Sequence, residues 1–66
     1  MTVEEIMELF VDDSQEIELW DINKEETVFK GDYRDLHDDN LLYAEVSSID
    51  NIYPNNKGII TFNVEV

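Results

Sequence analysis

Carboxylates are the residues of this chain that chemistry could use: 17 Asp and Glu stand against 4 Lys and Arg, a formal charge of −13 over 66 residues. Paired carboxylates share acid and base roles when burial or a like charge drives their pKa values apart, whereas carboxylates on an open surface titrate normally and move few protons. Nucleophilic catalysis is no better supplied. With no cysteine and one histidine, Ser14, Ser47 and Ser48 have only His37 as a base, and no glycine-rich elbow or oxyanion loop accompanies them. The chain is therefore read as non-enzymatic.

Metal chemistry meets similar objections. Asp12-Asp13-Ser14-Gln15-Glu16 opens like a calcium loop, but Ile17 stands where the sharp-turn glycine belongs and Asn23 where a bidentate Glu belongs. Asp35, His37, Asp38 and Asp39 could converge on a divalent ion, yet one imidazole among acids fits a solvated loop better than a built site. No metal and no other cofactor is expected. Gly31 and Gly58 are the only glycines and neither opens a phosphate-binding GxxxxGK pattern, while Lys24, Lys30, Arg34 and Lys57 are dispersed among acids. Direct binding to nucleic acid is disfavoured, and anionic membrane surfaces would repel the chain.

What remains is the acids as a group. Glu4, Glu5, Glu8, Asp12, Asp13 and Glu16 form one uncompensated block, and Asp32, Asp35, Asp38, Asp39 and Glu45 form a second, relieved only by Arg34. From Val46 onward the strands carry only Asp50 and Glu65 against Lys57, so the charge is expected to gather on the helix and the connecting segments rather than to cover the sheet evenly. Such a surface favours a basic partner. Duplex DNA carries one charge per roughly 1.7 Å of axis, so carboxylates on a compact body can imitate part of a phosphate row and enter a cationic groove.

The elements that must position these residues can be read from periodicity. Thr2-Val3-Glu4-Glu5 fits a capping box, and Val3, Ile6, Met7 and Phe10 then recur at helical spacing, predicting a helix from Val3 to about Val11. Ile17 to Ile22 and Thr27 to Lys30 are β-rich runs around Asn23-Lys24-Glu25-Glu26, a connection of hairpin length. Trp20 shares a side with Glu18 and Ile22, so both faces of its strand carry apolar mass; the strand is either central or leaves Trp20 partly exposed. Gly31 is read as the strand's end, Asp32 as the N-cap of a helical turn, and Tyr33 and Leu36 as its inward side.

The last third, Tyr43 to Val66, reads as a long hairpin. Ile60, Phe62, Val64 and Val66 alternate with Thr61, Asn63 and Glu65, the Tyr53 to Gly58 stretch supplies turn residues, and a bulge near Ser47-Ser48 reconciles the preceding strand with its three-residue apolar spacing. The expected fold is a single α+β domain, residues 1–66: a small antiparallel sheet of about four strands, one N-terminal helix and a short helical turn. Apolar residues are 42% of the chain, enough for a small core. Met1 to Phe10 is acidic and has no unbroken apolar run, so no secretory signal or membrane span is expected and a cytoplasmic location is the default.

A short, cysteine-free, strongly acidic domain of this layout resembles the small proteins encoded by phages and mobile elements that block host defence nucleases, acidic anti-CRISPR proteins among them. The Glu4 to Glu16 and Asp32 to Glu45 blocks carry the resemblance. It implies a non-enzymatic inhibitor that occupies the DNA-binding or PAM-reading groove of a CRISPR-Cas-type effector complex in the host cytoplasm, with the eleven acids of the two blocks as the partner-binding surface and Trp20 or Tyr33 as apolar anchors beside them. The alternative from another class is a protein–protein interaction module, or a homodimer, formed through a sheet edge or an apolar face.

Overall fold

The computed structural model describes residues 1–10, 14–50 and 58–66. Its elements in chain order are α1 (Val3–Met7), β1 (Glu16–Asp21), β2 (Glu26–Asp32), a 3₁₀ turn (Tyr33–Asp35), α2 (Asp39–Leu42), β3 (Glu45–Asp50) and β4 (Ile60–Glu65). The four strands form one sheet in the order β2-β1-β4-β3. This is a small α+β fold with the expected N-terminal helix and helical turn.

The capping box is in place. The Thr2 hydroxyl accepts the Glu5 N–H at 3.2 Å, and the Glu5 carboxylate accepts the Thr2 N–H at 2.9 Å. That backbone hydrogen bond, then the Thr2 side chain, holds the Glu5 carboxyl below the usual carboxylate range. The helix stops at Met7, earlier than the apolar spacing suggests, because the Leu9 and Phe10 N–H groups bond three residues back to Ile6 and Met7 and tighten the final turn. Val3 and Met7 are buried, whereas Phe10 stays 38% exposed.

Both expected hairpin ladders, β1 with β2 and β3 with β4, are antiparallel, and the second carries the bulge between Val46 and Ser48. The central pair, β1 with β4, is parallel, so the sheet is mixed rather than wholly antiparallel. The reason lies between the hairpins. Residues 33–44, with the 3₁₀ turn and α2, join β2 to β3, two strands running the same way at opposite edges; about a dozen residues is what a crossover between parallel strands needs. The two hairpins thus meet through their first and last strands. β2 also runs through Gly31, which was read as its end, to Asp32; Gly31 adopts φ 156°, a conformation open to glycine. The turn expected at Tyr53 to Gly58 falls largely outside the described residues.

One face of the sheet makes the core. Ile17 and Leu19 of β1 and Ile60, Phe62 and Val64 of β4 are buried against Val3, Met7, Leu36 and Ala44 of the helical layer. Register sets Ile17 beside Ile60 and Leu19 beside Phe62, so the branched and aromatic side chains of the central pair interlock. The chain start is sewn to the β3 edge: Thr2 bridges Glu45, and the Val46 N–H bonds the Met1 carbonyl at 2.8 Å. No described helix is long and apolar enough to cross a membrane.

Asp21 is the polar exception in this interior, 1% exposed. Its Oδ1 accepts the Asn23 N–H at 2.9 Å and the Lys24 N–H at 3.4 Å, closing the β1–β2 turn in which Glu25 adopts φ 56°. Its Oδ2 is buried with no hydrogen-bond partner. Asp21→Ala should therefore cost about 1–3 kcal/mol by orphaning the turn amides, whereas Asp21→Asn keeps Oδ1 as their acceptor, leaving stability within about 1 kcal/mol. Urea denaturation of the two variants checks this; equal losses would contradict it.

Candidate functional site

Strict alternation in β1 and β4 sends every second residue away from the core. Among the described residues no element covers that outer side of the sheet. Between β1 and β2 the register sets Glu16 opposite Asp32, Glu18 opposite Lys30 and Trp20 opposite Thr27. Between β3 and β4 it sets Glu45 opposite Glu65, Ser48 opposite Asn63 and Asp50 opposite Thr61. Glu16, Glu18, Asp32, Glu45, Asp50 and Glu65 thus share one face with a single lysine, Lys30. The expectation that charge gathers on the helix and the connecting segments is corrected here: helices cover one side only, and the alternation that fills the core exports six acids to the other.

Spacing on this face is fixed by the sheet. Neighbouring strands lie about 4.8 Å apart and alternate residues of a strand about 6.5–7 Å apart. Like charges directly opposite destabilise a strand pair, and Glu16/Asp32 and Glu45/Glu65 are two such pairs. One member of each finds a cation: Arg34 lies 3.2 Å from Asp32, and the N-terminal ammonium 2.7 Å from Glu45. Asp32 makes no capping hydrogen bond to the 3₁₀ turn, since its carboxylate turns to Arg34 instead. Both ion pairs are solvent-exposed, so water and salt screen them and each contributes little to stability.

Hydrogen bonds hold the middle of the face. Glu18 accepts from the Thr27 hydroxyl at 2.6 Å and from the Thr61 hydroxyl at 3.3 Å, tying β2, β1 and β4 together. Asn63 donates to the Ser48 hydroxyl at 2.9 Å and to the Asp50 carboxylate at 2.9 Å. These donors are neutral, so they orient the carboxylates and leave their charge intact. Trp20 stands between the two networks, beside Thr27 and Asn63, and is 36% exposed.

The remaining sequence candidates lie elsewhere. Glu4 on α1 and Glu8 at its C-cap lie across the core from the outer face and act on Tyr33, whose phenol is raised above its usual pKa first by burial and then by these two charges. Glu5 is engaged in the capping box, and Asp38 caps α2 by accepting the Asn40 N–H at 2.9 Å. Asp35 and Asp39 are exposed. Asp12 and Asp13 lie outside the described residues. Of the two acidic blocks, the fold brings Glu16, Asp32 and Glu45 to the sheet and sets Glu4 and Glu8 on the helical side.

Glu18, Asp50 and Glu65 complete the outer face and were not among the expected contact residues. Their signal was present, since Glu18 and Glu65 each stand between two apolar residues and Asp50 directly follows the inward Ile49. The chain matches no protein-family model, no curated protein and no solved structure with which it was compared. Among the described residues, no group of three or more His, Cys, Asp or Glu is placed to hold a metal ion. An apolar cleft of about 220 Å³ opens on the helical side between Ile6, Phe10, Ile49, Ile60 and Phe62.

The Tyr33 environment gives a direct check on the helical side. Because the folded state raises this phenol above its ordinary value of 10.0, the associated stability is fully present below pH 10.0 and is lost as pH rises through the raised folded value. Ultraviolet titration of Glu4→Gln/Glu8→Gln should bring Tyr33 part of the way back, with burial keeping it above ordinary. An unchanged titration would mean that these acids do not reach it.

Proposed function

We propose that this protein is a non-enzymatic acidic binding protein that occupies the cationic nucleic-acid-binding surface of another protein, acting as a nucleic-acid mimic. The observation that carries this reading is the outer sheet face: six carboxylates against Lys30, with Arg34 and the N-terminal ammonium each reaching one of the six, on a face that no described element covers. A sheet that sets like charges opposite each other gives up stability, and such breaches of local rules gather where function requires them. Contact with Arg and Lys side chains would convert that repulsion into charge-assisted hydrogen bonds.

The partner that fits best is a nucleic-acid-binding effector of the CRISPR-Cas type, whose DNA-binding or PAM-reading groove is lined by cations that normally meet phosphates. The protein itself binds no nucleic acid in this reading, since a chain of formal charge −13 is repelled by it. The same repulsion opposes pairing between two copies through a sheet edge. Screening sets the test. Capture of purified CRISPR-Cas effector complexes by the immobilised protein should weaken about tenfold or more between roughly 0.15 M and 1 M salt, as the Debye length falls from about 8 Å to about 3 Å. An excess of PAM-bearing duplex should release the complexes. Capture indifferent to both salt and duplex would overturn the proposal.

A further inference from the structure

We infer that the outer sheet face is selective for arginine over lysine, with Trp20 as the platform on which a partner's guanidinium stacks while Glu18 receives its N–H groups. This deepens the proposed function and rests on it. Three observations converge. Trp20 is a large aromatic left 36% exposed on a strand whose neighbours on both sides are paired, so its exposure comes from the bare face and not from a frayed edge. Glu18 follows the same face one step earlier on β1 and is fixed by the Thr27 and Thr61 hydroxyls. Asn63, beside Trp20, is fixed in turn by Ser48 and Asp50.

The chemistry of such a site discriminates between the two basic side chains. Guanidinium is planar, weakly hydrated and able to present a fork of donors to a carboxylate while its face lies on an indole. Ammonium is compact and strongly hydrated, and gains from the carboxylate without needing the ring. Apart from Lys30, opposite Glu18, the charged side chains of the face are acidic, so its charge complements a cationic surface. An aromatic in its centre adds nothing to charge but adds a preference among cations. The helical side offers a contrast: Glu4 and Glu8 stand over a partly buried Tyr33, whose ring packs against the core.

Titrating the full, nitrogen-labelled chain with nona-arginine and with nona-lysine at low salt tests the inference. The chain has one tryptophan, so the Trp20 indole resonance and the intrinsic fluorescence report on this face alone. Nona-arginine should bind about two- to fivefold tighter than nona-lysine and perturb the Trp20 indole together with the Glu18 and Asn63 amides. In Trp20→Leu, which keeps an apolar side chain on the sheet, the two peptides should bind alike. Equal affinities in the wild-type chain, or perturbations confined to Glu4, Glu8, Asp38 and Asp39, would overturn the inference while leaving charge-driven binding intact. Failure of both peptides to bind would overturn the inference and the proposed function together.

Discussion

Parallel pairing of β1 with β4, with Ile17 beside Ile60 and Leu19 beside Phe62, is the constraint on which both faces of the molecule depend. Side-chain direction along a strand has a period of two, so a slip of β1 by one residue against β4 would send Ile17 and Leu19 to solvent and bring Glu18 and Trp20 inside. The core therefore fixes the outer array as firmly as it fixes itself. Each edge hairpin is then aligned by its inner strand, and Glu16, Asp32, Glu45 and Glu65 fall on the exposed side as a consequence.

That arrangement sits on a narrow energetic margin. A chain of 66 residues buries only about 60% of the surface its unfolded form exposes. Here the helical layer is slight, since α1 spans five residues and α2 four. Most of the apolar contact comes instead from the inner sheet face with Val3, Met7, Leu36 and Ala44. Against it stand a large net negative charge, which repels itself in any compact state, and the unpartnered Oδ2 of Asp21. A cationic partner would relieve the first of these costs, linking the protein's stability to its occupancy.

Much of the scaffold was legible in the sequence because its signals are local. The Thr2-to-Glu5 capping box, the strict alternation from Ile60 and the broken spacing that marked a bulge near Ser47 each depend on residues a few steps apart. The parallel central pair depends on residues 17 and 60, and no local pattern announces it. The candidate surface was legible only in part for the same reason. Charge counted along the chain groups Glu4 with Glu16 and Asp32 with Asp39, whereas folding groups by strand parity, joining Glu16 to Asp32 and Glu45 to Glu65. Glu18, Asp50 and Glu65 were passed over because each lies outside the two acidic blocks, although each is an outward step of a strand.

Binding through the outer face depends on location as much as on charge, and equal changes of charge at two places separate these. Glu18→Lys/Asp50→Lys alters the outer sheet face, and Glu4→Lys/Glu8→Lys alters the helical side by the same amount. Calorimetric titration of both folded variants with nona-arginine is the direct measurement. The outer-face pair should lose about tenfold or more in affinity and the helical pair no more than about threefold, the remainder of a screened, long-range field. Equal losses, or a larger loss from the helical pair, would contradict the claim that the sheet's bare face is where this protein meets its partner.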